Sequence, residues 1–198
     1  MEFNFFTLVF LFAILTSVLA LLWLNFRQDK AIDNSFDSVP DGFSETIKLE
    51  DHQKAGRYTK AKLLLNHFEI IFSTIVLLVW TLGGAMNWID GYWSQKIDDP
   101  VLMGTFFVLS IMLIASFIDL PFSIYRNFVL EHKFGFNRMT AGTFAADLIK
   151  EVILSLILVL PLIYAILYLM NIESIGNYWW VYVWAIISLF SLTMMWIY

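Results

Sequence analysis

The sequence contains no cysteine. That excludes disulfides, thiolate nucleophiles and cysteine-ligated zinc or iron–sulfur centres, and leaves the redox compartment open. Charge is also scarce: Asp, Glu, Lys and Arg make up 15% of the 198 residues, against about 25% in soluble domains. Histidine is limited to His52, His67 and His132. None belongs to an H-E-x-x-H helix, whose spacing sets two imidazoles on one face for zinc. The residues therefore predict no zinc site in this chain. Nor is there a phosphate-cradling glycine loop, and no nucleophile–base pair is legible from spacing. The basic residues lie beside apolar runs and among acids, which argues against nucleic-acid binding.

What fills the chain is apolar. Hydrophobic residues make up 60% of it, clustered in runs long enough to cross a bilayer at ~20 residues each. This predicts an integral membrane protein whose partners include membrane lipids. In such a protein the net charge of −5 matters less than where the charges sit. The first run, "FFTLVFLFAILTSVLALLWLNF", has no basic leader, too long an apolar core and no clean small-residue cleavage site. It reads as a retained span and not as a signal peptide.

Hydropathy and length place five spans at about 5–26, 68–88, 101–118, 151–170 and 180–198. All should be helices, because a lone strand cannot satisfy its backbone in lipid. The expected fold class is an all-α polytopic bundle, with residues 1–198 as one transmembrane domain. Its longer loops are 27–67 and 119–150. Those loops carry eleven of the twelve basic residues, and Lys96 is the exception. The positive-inside rule then puts them in the cytoplasm, with the N-terminus outside and the C-terminus cytoplasmic. Trp88, Tyr92, Trp93, Tyr178, Trp179 and Trp180 collect near the outer boundary, where amphipathic rings settle.

In the first cytoplasmic loop, "DNSFDSVPDGF" holds turn formers and one proline and should be irregular. From about Leu49 the pattern turns helical, with Glu50 and Lys54 four apart as a favourable pair. That helix should run unbroken into the second span. Lys54, Arg57, Lys60 and Lys62 form a basic collar at the membrane surface, either a topology signal or an attractor of anionic lipid.

Asp119, in "SFIDLPF", is a charge at the inner end of the third span. It is either an intramembrane functional acid or a helix-boundary residue, with Pro121 restarting the helix. Glu69 and Asp147 pose the same choice at the edges of spans two and four. Pro161 should bend span four. Gly83-Gly84 should permit close helix approach within span two.

The loop "EHKFGFNRMT", residues 131–140, is too specific for a wet connector. Apolar spacing at Phe122, Tyr125, Phe128 and Val129 projects the third helix beyond the membrane. Gly135 suits a helix C-cap, Asn137 can cap or turn, and Thr140 or Thr143 can start the next helix. Exposing Phe134 and Phe136 gains nothing, since burial of each ring is worth roughly 1.5–3 kcal/mol. Glu131, Lys133, Asn137 and Arg138 around them form a polar rim. A capped hairpin, headgroup insertion and a domain-docking surface all remain open on the residues alone.

"FIDLPFSIYRNFVLEHKFGFNRMT" and "YTKAKLLLNHFEIIF" resemble the N-terminal membrane region of the type-I CAAX prenyl proteases, integral-membrane zinc metallopeptidases. The resemblance extends over most of the chain and is strongest at residues 50–150. It implies that H-E-x-x-H and a further glutamate ligand follow the fifth span, so that this chain is a piece of a longer protein. Zinc, with a glutamate as general base for metal-bound water, would then belong to the absent catalytic domain. This chain alone would be inactive and hold no metal. Its implied role is to wall part of an intramembrane chamber and to dock the catalytic domain through Glu131, Lys133, Phe134, Gly135, Phe136, Asn137 and Arg138. The implied substrate is a peptide, prenylated in eukaryotic relatives. The implied location is the bacterial inner membrane or the endoplasmic reticulum, with the active side cytoplasmic. The alternative is a non-enzymatic bundle, a small transporter or an assembly or regulatory subunit. Transporters are expected to carry ionisable residues at mid-span, and the acids here cluster at span ends.

Overall fold

The computed structural model describes residues 4–197. Every regular element among them is helical, and five helical stretches are long and apolar enough to cross a membrane. Helix α1 spans Phe5–Asn34. It starts at Asn4, whose side chain accepts from the Thr7 amide at 2.9 Å, satisfying one of the orphan donors of a helix start. Its 30 residues reach about 45 Å at ~1.5 Å per residue, more than a ~30 Å hydrocarbon core. The helix therefore does not stop near Arg27, as hydropathy suggests. "RQDKAIDN" holds no proline or glycine, and its Asp33 and Asn34, expected to open the irregular stretch, form the last helical residues. There the Ser35 hydroxyl and amide both donate to the Ala31 carbonyl, at 3.0 and 3.3 Å.

Residues 35–48 are irregular apart from a 3-10 turn at Asp41–Phe43. Helix α2, Leu49–Thr81, begins where expected and is continuous into the second span. No Glu50–Lys54 ion pair forms among the described residues. The helix ends seven residues before the expected Trp88, because the two glycines break it. Gly84 has φ +81, and a Cβ on Gly83 would lie 2.7 Å from the Val79 carbonyl oxygen. Gly83-Gly84 is thus a turn between helices and not a packing site inside one. A short helix α3 follows, Ala85–Ser94.

Helix α4 starts at Pro100 behind an Asp99 cap, whose carboxylate accepts from the Leu102 amide at 2.7 Å. Its path continues past Ile124 through a π-helical stretch, Tyr125–Glu131, and a last turn, His132–Phe134. Pro121 lies inside this helix and does not restart it, so Asp119 is not at a helix boundary. A membrane helix tolerates the lost donor where neighbouring groups re-satisfy the backbone. Thr140, and not Thr143, caps helix α5 (Ala141–Asn171), accepting from the Thr143 amide at 3.1 Å. Because α5 starts ten residues before Glu151, Asp147 lies within it and pairs with Lys150 at 3.2 Å. Pro161 also sits inside α5. A 3-10 stretch, Glu173–Tyr178, leads to helix α6, Trp179–Ile197. Tyr198, the expected end of the fifth span, lies outside the described residues.

The helices sort into two compact units. One comprises the chain up to Ala85 together with Asp119–Arg138, and the other Met86–Ile118 with the chain from Met139 onward. In the first, Asn66 Nδ2 of α2 donates to Asn25 Oδ1 of α1 at 3.3 Å. Lys60 of α2 pairs with Asp29 and Asp33 of α1. Leu63, Leu65, Ile70 and Leu130 supply its buried apolar contacts. In the second, Trp93 stacks on Phe106 at 5.0 Å and donates to Ser110 Oγ at 2.8 Å. Gly104 of α4 lies so close to α5 that an added Cβ would meet Leu167 Cδ1 at 3.1 Å.

Most apolar side chains nonetheless face outward: Phe5 is 81% exposed, Trp184 68% and Leu189 67%. In water such patches would drive association. In lipid they cost nothing, because the tails are as apolar as leucine. The protein is an integral membrane protein.

Candidate functional site

The loop after α4 is held by a cap and a clasp. Helix geometry ends at Gly135, which adopts the left-handed conformation with φ 79 and ψ 19. The Gly135 amide donates to the His132 carbonyl at 3.1 Å and the Phe136 amide to the Glu131 carbonyl at 2.9 Å. These two bonds are the Schellman pattern, which glycine completes without Cβ strain.

The clasp is Tyr58 of α2. Its hydroxyl donates to Glu131 Oε1, 73 residues away in sequence. Phe134 and Phe136 stand edge-on to its ring at centroid distances of 5.2 and 4.9 Å, the geometry that the aromatic quadrupole favours. Three ammonium groups lie over these rings: Lys54 over Phe136 at 5.4 Å, Lys62 over Tyr58 at 5.3 Å and Lys133 over Phe134 at 5.9 Å. The phenylalanines thus rest partly on their own chain, while Phe136 stays 51% exposed. Lys133 and Arg138 are exposed, Glu131 and Asn137 half-buried. Arg138 forms no ion pair among the described residues.

Below the clasp, Arg126 of α4 pairs with Glu69 of α2. Two small clefts flank the pair, of about 380 and 350 Å³. Both include Asn66, Glu69 and Arg126, and the smaller adds Ser73, Asp119 and Ser123. Asp119 therefore lines a cleft of mixed polar and apolar walls, yet forms no ion pair itself among the described residues.

The histidines remain apart in their roles. His52 Nε2 donates to the Ser35 carbonyl and His67 Nδ1 to the Leu63 carbonyl, both at 2.7 Å. His132 is exposed. Among the described residues no three His, Asp or Glu side chains come together in a group that could hold a metal ion. The loop presents an exposed Phe136 ring and an Arg138 guanidinium without an ion pair among the described residues, on a backbone capped at Gly135.

The loop residues 131–138 named from the sequence lie on the capped turn after α4. Tyr58 was missed, although its i−4 and i+4 neighbours Lys54 and Lys62 mark it as the one ring within the basic collar. The Glu69–Arg126 pair was also missed. Its signal is opposite charge at the start of the second expected span and just past the end of the third.

The family model described as "CAAX prenyl protease N-terminal, five membrane helices" matches residues 28–198. The CAAX prenyl protease 1 homolog of Caenorhabditis elegans is 31% identical over 176 residues, covering 89% of this chain and 38% of that protein. The Dictyostelium discoideum homolog is 32% identical over 182 residues, covering 86% and 41%. The human homolog is 28% identical over 189 residues, covering 89% and 39%. The chain thus spans about two fifths of the length of these relatives. The crystal structure of S. mikatae Ste24p superposes with a TM-score of 0.84 at 21% identity, covering 98% of this chain and 46% of that one, which establishes the fold. Five helices long and apolar enough to cross a membrane and a match over residues 28–198 to a model of five membrane helices agree: the chain belongs to the CAAX prenyl protease N-terminal family.

Proposed function

We propose that this chain is the membrane-embedded N-terminal part of a zinc metalloendopeptidase of the CAAX prenyl protease type. It walls part of an intramembrane chamber and docks the catalytic domain on the loop 131–138. Its N-terminus lies outside and its C-terminus in the cytoplasm, in the bacterial inner membrane or the endoplasmic reticulum. Catalytic zinc, its ligands and the general base belong to the remainder of the protein, in keeping with the greater length of the relatives. The substrate class, a peptide with a prenylated C-terminus, follows from the names of those relatives.

One observation carries the docking role. The loop is locked by the Gly135 cap and the Tyr58 clasp, yet leaves Phe136 half exposed and Arg138 unpaired. Ordering a loop costs about 1–2 kcal/mol per residue, and a pre-ordered aromatic–arginine surface lowers what a partner must supply. In the full-length enzyme, Phe136→Ala and Arg138→Glu should each lower proteolysis several-fold while membrane insertion and zinc content stay normal. Normal activity and stability in both variants would reduce the stretch to a capped loop.

A further inference from the structure

We infer that the outward face of α2 holds one anionic glycerophospholipid, its tail in an apolar groove and its phosphate on Lys54 and Arg57. The groove has a volume of about 550 Å³ and lies wholly within the first unit. Ala61, Leu64, Phe68, Ile71 and Ile75 of α2 form its floor, against Phe122 and Tyr125 of α4. The floor residues alternate three and four apart, so they make one continuous stripe on a helix. From Ala61 to Ile75 the stripe runs about 21 Å at ~1.5 Å per residue, longer than a single leaflet of ~15 Å.

The same alternation continues backwards to Arg57 and then Lys54. Two cations therefore stand in line with the groove, one and two turns beyond its last apolar residue. Both side chains are exposed, and neither forms an ion pair among the described residues. Lys54 is steered over the Phe136 ring at 5.4 Å and pairs with neither Glu50 nor Asp51, the two acids one turn before it, among the described residues. Lys60, off the stripe, is the collar residue that acids of α1 neutralise. Unpaired positive charge at one end of a lipid-length apolar channel complements a single chemistry: a negative headgroup with a tail. A neutral lipid would leave both cations unanswered, and a soluble anion would leave the groove unfilled.

The test is native mass spectrometry of the detergent-purified chain, titrated with phosphatidylglycerol or phosphatidylcholine of identical acyl composition. One phosphatidylglycerol should be retained, roughly tenfold more tightly than phosphatidylcholine, since each interfacial cation contributes measurably to anionic-lipid attraction. Lys54→Gln with Arg57→Gln should bring the two lipids to equal affinity, and both residues are exposed enough for the fold to survive. Ala61→Trp, which obstructs the groove, should lower retention of either lipid. Equal retention by the unaltered chain, or a preference that persists in the charge-neutral variant, would overturn the assignment. So would a neutral prenylated peptide that displaces phosphatidylglycerol and binds the charge-neutral variant as well as the parent, which would make the groove a substrate subsite.

Discussion

Tyr58 holds the α4 loop at three points, the Glu131 carboxylate and the rings of Phe134 and Phe136. Tyr58→Phe deletes only the hydroxyl contact and should destabilise by roughly 1 kcal/mol, read as a lowered melting temperature in detergent. Tyr58→Ala removes the ring contacts too, so limited proteolysis between residues 131 and 140 should rise well beyond that of Tyr58→Phe. Gly135 offers a separate test, because φ 79 is left-handed and nothing lies within 4 Å of an added Cβ. Gly135→Ala should cost about 1–2 kcal/mol from backbone strain alone, and Gly135→Asn should recover much of it. If Ala and Asn behave alike, the cap is not what orders the loop. The Gly135 cap was legible in the sequence, and the next helix start was narrowed to Thr140 or Thr143, because capping is decided within a few residues. The Tyr58–Glu131 bond was not, because its partners are brought together only when two long helices pack.

At the scale of helices, hydropathy located every span but misplaced several ends. It detects where a helix meets lipid, whereas helix ends follow local chemistry that extends into water. Thus α1 outruns Phe26 by eight residues to Asn34, and α2 stops early at Thr81 where the glycine pair turns the chain. Pro121 misled in the opposite direction, since a proline that would end a soluble helix is carried inside α4. Two inter-helix contacts can be tested. Gly104→Val should overpack α4 against Leu167 and cost about 1–3 kcal/mol, and Leu167→Ala in the same chain should relieve part of the loss in thermal unfolding. Glu69→Arg and Arg126→Glu should each destabilise, while the double exchange restores stability by on the order of 1 kcal/mol relative to additivity. Strict additivity would mean that the pair contributes nothing to holding α2 and α4 together.

For the whole molecule, charge asymmetry predicts which face each loop occupies, and the absence of cysteine makes that directly measurable. Ser44→Cys and Thr140→Cys should be shielded from an impermeant thiol reagent applied outside intact cells, and Ser94→Cys and Ser174→Cys should react. External labelling at Ser44→Cys would invert the topology and put the loop 131–138 on the wrong face for the proposed cytoplasmic active site. The family was legible from the loop phrase and the approach to the second span. What the proposed docking loop would meet was not, because an interface takes two surfaces and this sequence describes only one. The most direct test of the docking role is therefore a photo-crosslinking phenylalanine analogue at position 136 in the full-length protein in its membrane. The account predicts an intramolecular crosslink, after proteolysis and mass spectrometry, from position 136 to the part of the protein beyond residue 198. Crosslinks confined to lipid or to α2 would contradict it.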